Sequence, residues 1–147
     1  MWLSLNILSK MVDVRGLSPE EIALRLTMSS AEIEGIEYHL KSVITAKITK
    51  KLPHPNADKL TLCDLDAGGE TSRVVCGAPN HREGDIVALA TVGTKFGDEF
   101  VIKKTKIRGE ESSGMLCSEK ELGLSDDHSG IMILPPSTKT GVPLSEL

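Results

Sequence analysis

Four cations, Lys103, Lys104, Lys106 and Arg108, are interleaved with Ile102, Thr105 and Ile107. Gly109 and a polar Glu110-Glu111-Ser112-Ser113-Gly114 turn follow, and Met115-Leu116-Cys117-Ser118 leads into Glu119-Lys120-Glu121. A basic strand that runs into a turn of hydroxyls and glycines offers what a phosphate backbone needs: cations to replace counterions, and donors with close backbone approach. Arg108, beside Gly109 at the end of the strand, is the leading binding candidate, with Ser112, Ser113 and Ser118 offering hydroxyls. Each has a plainer rival. The lysines also suit an exposed strand guarded against edge pairing, Met115 suits a core, and Ser118 with Glu121 three residues on suits a helix cap.

A second block, Pro53-His54-Pro55-Asn56-Ala57-Asp58-Lys59-Leu60, places an amide and a cation in a proline-bracketed turn. Asn56 could reach phosphate, sugar or base there, or stabilise its own turn. A third block is Val75-Cys76-Gly77-Ala78-Pro79-Asn80.

Other chemistries find no support. Gly68-Gly69 is followed by Glu70 rather than by the Gly-Lys of a phosphate loop. No nucleophile, histidine and acid are set out together, and Asp126-Asp127-His128 reads as a turn. Cys63, Cys76 and Cys117 are odd in number and widely spaced, which disfavours a disulfide framework or a zinc site and suits small buried side chains. The four histidines show no ligand spacing. The expectation is therefore no catalytic residue, no metal and no cofactor.

The net charge of −4 argues against a surface that grips nucleic acid everywhere. Its distribution is uneven. Residues 41–60 carry five lysines against Asp58, residues 95–109 carry a net +3, and residues 110–130 carry six acids against Lys120. If the two basic segments are neighbours, they form one patch on an acidic body. Only Phe96 and Phe100 are aromatic near the basic strand, so base stacking is a poor fit and recognition of folded RNA by shape and backbone a better one.

The elements that must position these residues follow from pattern. Leu3, Ile7, Leu8, Met11 and Val12 recur at helical spacing. Ser18-Pro19 with Glu21 predicts a capped second helix burying Ile22, Ala23 and Leu26. Residues 30–38 read as a turn into a short strand. From Ser42 the texture becomes β: Val43–Thr49, stopped by Pro53 and Pro55, then 60–65, 72–76, 85–89, 99–108 and 131–134, separated by glycine and proline turns. The pattern predicts a helical preface before a five- or six-stranded barrel. No apolar run is long enough to span a bilayer, and the start lacks a signal-peptide pattern, so a soluble cytoplasmic protein is expected.

Taken together, the three blocks resemble the tRNA-binding domain of bacterial phenylalanyl-tRNA synthetase β subunits. The likeness extends upstream to Leu5-Asn6 and Ala31–Ile36, and downstream to Ser125–His128 and Gly141–Leu144. It implies a mainly β fold with some helix: an oligonucleotide/oligosaccharide-binding (OB) barrel over 41–147, preceded by a helical segment, 1–40, that is the first part of a split domain. It implies an accessory tRNA-binding module, itself non-catalytic, within an enzyme that uses ATP and Mg2+ to join phenylalanine to tRNA-Phe. Its partners would be tRNA-Phe and the synthetase α subunit, with self-association through the incomplete helical segment. The resemblance points to Asn56, Lys59, Arg108, Ser113, Met115 and Ser118 as the block that meets RNA, beside Lys103, Lys104 and Lys106. Two rival readings are an assembly domain with little RNA contact and a stand-alone tRNA-binding chaperone, which the helical preface argues against.

Overall fold

The computed structural model describes residues 3–35, 40, 42–96 and 100–147. The chain divides into two compact units, Met1–Tyr38 and His39–Leu147.

In the first unit, α1 (Leu5–Met11) and α2 (Pro19–Ser29) form where the apolar spacing predicts. The expected capping box is present. The Ser18 side chain accepts from the Glu21 N–H at 3.2 Å, and Glu21 Oε2 accepts from the Ser18 N–H at 2.7 Å. Among the described side chains of this unit only Ile22 is buried; Ala23 and Leu26 are half-buried. Ile7, Met11, Leu24 and Met28 are 58–81% exposed. Residues 31–35 carry no strand; the rest of the expected short strand lies outside the described residues.

The second unit is built on β1 (Val43–Pro53), which is longer than expected because it serves two neighbours. Residues 43–47 pair antiparallel with β4 (Ile86–Ala90), and residues 47–53 pair with β2 (Thr61–Asp66). A register shift between Ile48 and Lys50 bends the strand, as a bulge does. Pro53 ends it without loss, since a terminal residue need not donate. β3 (Thr71–Cys76) extends the sheet from β2.

The segment expected as one strand, 99–108, is not continuous. β5 (Lys95–Phe96) and β6 (Phe100–Val101) form one ribbon, while β7 (Thr105–Ile107) and β8 (Glu110–Ser112) form another. The break falls at 102–104, where the Ile102 N–H donates back to Thr94 O at 2.8 Å and Ile102 O accepts from the Gly93 N–H at 2.7 Å. Lys103 and Lys104 therefore sit between ribbons, and only Lys106 lies in a strand.

β9 (Met115–Leu116) pairs with β4, as does β10 (Ile133–Leu134). The Ser113 N–H donates to Arg73 O at 2.9 Å, and Ser112 Oγ accepts from the Val75 N–H at 3.1 Å. The β8–β9 segment thus bridges β3 to β4 and nearly closes the barrel in the order β1-β2-β3-β8/β9-β4-β1. This is the OB-like barrel that the pattern and resemblance predict. Gly114, expected to allow approach of a ligand, instead allows approach of the barrel's own backbone: a Cβ there would stand 2.9 Å from Ala90 O.

β4 is buried on both faces, which explains its unbroken Ile-Val-Ala-Leu-Ala run. Val87 and Leu89 join Ala46, Ile48, Cys63, Leu65 and Val74 inside the barrel. Ile86, Ala88 and Ala90 pack outside with Val43, Ile102, Leu122 and Leu144. Each fully buried aliphatic side chain contributes about 1.5–3 kcal/mol. Leu144 reaches its place through a C-terminal strap clipped to β1. Thr45 Oγ1 donates to Lys139 O at 2.7 Å, and the Thr45 N–H donates to Val142 O at 2.9 Å. The three cysteines are free and buried, and burial pushes the Cys76 and Cys117 thiols up to about 11 and about 12.

Candidate nucleic-acid interface

The β7–β8 hairpin turns through two residues, Arg108 and Gly109, with φ of 52° and 93°. Two positive φ values in a two-residue connection are those of a type I′ turn, whose twist matches that of its strands. Glycine takes such a conformation freely. Arginine does not, at a cost of about 1 kcal/mol or more. The strained residue is the one that sequence places at the end of the basic run, and its side chain is exposed.

The turn is tied to the β1–β2 loop by two side chains. His54, 6% exposed, accepts at Nδ1 from the Asn56 N–H at 3.0 Å. Its proton must then reside on Nε2, which lies 2.9 Å from Ile107 O and donates to it. The Asn56 amide donates from Nδ2 to Arg108 O at 3.1 Å. The loop is closed on itself by the His54 N–H donating to Leu60 O at 3.0 Å. Consecutive carbonyls, 107 and 108, are thus pinned by consecutive features of the Pro53–Leu60 block. Of the two basic segments, it is this loop, with its exposed Lys59, that meets the basic hairpin.

Other members of the expected site are placed differently. Lys104 forms an ion pair with Glu111 at 2.9 Å, both side chains more than half exposed. Such a pair is worth little to stability but offsets the cation. Lys103, Lys106 and Arg108 are exposed and have no ion pair among the described residues. Ser112 is 1% exposed, and its hydroxyl is committed to the Val75 N–H and Gly114 O, so it offers nothing to a ligand. Ser113 is half-buried, its N–H joined to β3. Met115 is half-buried against the outer core. Ser118 is 7% exposed and caps its turn: Glu121 Oε2 accepts from the Ser118 N–H at 2.7 Å, and Ser118 Oγ accepts from the Glu121 N–H at 3.3 Å. Phe100, one of the two aromatics near the basic segment, is 53% exposed and tilted against Phe96 with centroids 6.3 Å apart.

The outer face of β2 and β3 is occupied by a cross-strand pair. Arg73 forks onto Asp64 at 2.6 and 3.0 Å, and these hydrogen bonds hold the Asp64 carboxyl below its ordinary range. Besides the paired Lys104, the exposed cations of the hairpin segment and the loop it meets are Lys59, Lys103, Lys106 and Arg108.

Arg108→Asn provides a direct check on the role of the turn. Asparagine tolerates the left-handed region and is favoured in type I′ turns. The variant is expected to gain up to about 1 kcal/mol of stability in a urea titration while binding tRNA less tightly. A loss of stability would mean that the arginine side chain supports the fold.

Fold and site together define an OB-like barrel that presents a latched basic hairpin. The profile of the family described as "Putative tRNA binding domain" matches residues 43–143. The chain belongs to that tRNA-binding domain family. It is 52% identical to the phenylalanine–tRNA ligase β subunit of Syntrophotalea carbinolica, over 100% of this chain and 18% of that protein. Identity is also 52% to the β subunit of Anaeromyxobacter dehalogenans (99% and 18%) and 41% to that of Bacillus subtilis (96% and 19%). The chain thus spans under a fifth of the length of these relatives. Among solved structures, a MetRS-related protein from Pyrococcus horikoshii superposes with a TM-score of 0.52 at 20% identity, over 69% of this chain and 87% of that one, a likeness of fold. Among the described residues no helix is long and apolar enough to cross a membrane.

Proposed function

We propose that the chain is the accessory tRNA-binding module of a phenylalanine–tRNA ligase β subunit. In this reading the ligase, assembled with its α subunit, uses ATP and Mg2+ to charge tRNA-Phe, and this module contributes RNA contact and no catalytic group. The observation that carries the proposal is the latched hairpin. Lys106 and Arg108 stand exposed on a hairpin whose Ile107 and Arg108 carbonyls are pinned by His54 and Asn56, with Lys103 just before it and Lys59 on the loop that pins it. Such a surface positions phosphates; it does not read bases. In the same reading the exposed apolar residues of α1 and α2 belong to a split domain completed by the rest of the longer polypeptide.

Fluorescence anisotropy of labelled tRNA-Phe over a salt series tests this. The folded variant Lys103→Ala/Lys106→Ala/Arg108→Ala is expected to bind about ten- to a hundredfold more weakly at about 50 mM salt, with a log–log salt slope shallower by about 2–3. Curves that coincide with wild type would favour the assembly role, to which the acidic balance of residues 110–130 lends weight.

A further inference from the structure

Residues 119–127, with Glu119, Glu121, Asp126 and Asp127 against Lys120, border a groove lined in part by Met115 and Ser118, two residues the hairpin surface does not include. It has a volume of about 660 Å³ and lies between the end of β3, β9 and the loop at 128–131. Ala78, Pro79, Met115, Leu116 and Ile131 give it an apolar lining. Asn80 holds its two walls together: Nδ2 donates to Ile131 O at 2.8 Å, and Oδ1 accepts from the Ile131 N–H at 3.0 Å. The groove is therefore formed before any ligand arrives.

Its surroundings carry a negative balance. Lys120 and Glu121 line it and offset each other, leaving Glu119, Asp126 and Asp127 in the adjoining turns, with His128 and Ser129 on the edge. Two of these carboxylates, Glu119 and Asp127, are tethered where they stand. Glu119 Oε2 accepts from Ser125 Oγ at 2.7 Å, and Asp127 Oδ1 accepts from the Ser129 N–H at 2.9 Å and from its hydroxyl at 2.7 Å. Glu121 is engaged by Ser118. Bonds from Ser129 hold the Asp127 carboxyl below its ordinary range, so it stays anionic at neutral pH. Within a Debye length of roughly 8 Å, such a rim repels phosphate and attracts cations.

We propose that this groove docks a segment of a partner polypeptide in which an apolar side chain is flanked by lysine or arginine. The apolar residue fills the floor over Met115 and Ile131 while its basic neighbours face the rim. The barrel then has two binding faces of opposite charge, a basic hairpin for RNA and an acidic groove for protein. Charge complementarity selects this occupant over nucleic acid and over a second acidic copy of this chain.

A phage-displayed library of random peptides about a dozen residues long, selected on wild type, reads the ligand class directly from the sequences it enriches. The selection is expected to enrich Lys or Arg around Leu, Ile, Met or Phe. The leading synthetic peptide should shift the amide resonances of Ala78, Met115, Leu116 and Ile131. Pro79→Arg, which places a cation over the floor, should weaken that peptide at least tenfold. Glu119→Gln/Asp126→Asn should weaken it about three- to tenfold, and both variants should titrate with tRNA as wild type does. Amide spectra establish that each variant is folded. The proposal is overturned by enrichment of acidic peptides, by no enrichment, or by binding that leaves the groove amides unmoved. Groove shifts caused by tRNA alone, or by raising the concentration of the protein alone, overturn it as well, by assigning the groove to RNA or to a second copy.

Discussion

Gly141→Ala is expected to destabilise the barrel by about 3–4 kcal/mol, a large part of the roughly 5–15 kcal/mol available to a domain of this size. Two costs add. Gly141 has φ of +75°, a region that a β-carbon makes unfavourable by about 1 kcal/mol or more. A Cβ built there would also lie 2.7 Å from Ala67 O and 2.9 Å from the Gly68 Cα, which are backbone atoms of the β2–β3 turn. No side chain can swing aside to relieve this. Retreat of the strap is opposed as well, because the Gly141 N–H donates to Thr45 O at 2.7 Å while Thr45 Oγ1 accepts from the Val142 N–H at 3.1 Å. If the strap yields instead, Leu144 leaves the outer core and its burial energy is lost. Urea denaturation should show the midpoint falling with little change in slope. A loss below about 1 kcal/mol would mean that the strap is held far more loosely than its hydrogen bonds imply.

The strap also shows where a sequence stops being informative. Gly141-Val142-Pro143 is visible as a turn signal, but nothing local says that it lies against Thr45, nearly a hundred residues earlier. Strands declared themselves where β-branched runs ended at glycine or proline, as in Val43–Pro53 and Thr71–Cys76. The cap at Ser18–Glu21 was legible because both partners fall within four residues. The basic segment reads as one strand because Phe100–Ile102 and Thr105–Ile107 are both rich in β-branched or aromatic residues. Their separation is decided by the pairing of Ile102 with Gly93 and Thr94, a tertiary fact. Ser112 reads as an available hydroxyl for the same reason: its partner, the Val75 N–H, is a backbone group on another strand and has no signature in residue type. The cations of the site were legible as charge, whereas the side chain that aims them was not. His54 looked like one scattered histidine among four, and its one local clue is its position between two prolines.

His54→Ala is therefore expected to change two observables at once. The imidazole is buried and satisfies two backbone groups, the Asn56 N–H and Ile107 O. Truncation strips both of their partner and leaves a void, together worth about 2–4 kcal/mol. It also frees the turn that holds Arg108 in its strained conformation, because of the two side-chain ties only the Asn56 amide then links loop to hairpin. Binding of tRNA should fall about three- to tenfold at fixed salt with the salt slope unchanged, since no phosphate-neutralising cation has been removed. That unchanged slope separates a positioning residue from a contact residue: Arg108→Ala should lower both affinity and slope. Asn56→Ala, which removes a single exposed hydrogen bond, should show the same pattern more weakly, at about 0.5–1.5 kcal/mol of stability. Wild-type affinity in a folded His54→Ala protein would mean that the hairpin keeps its geometry unaided and that the proline-bracketed loop serves the fold alone. A shallower salt slope in that variant would show instead that loss of the latch withdraws the cations themselves from RNA, so that the loop and the hairpin act as one surface.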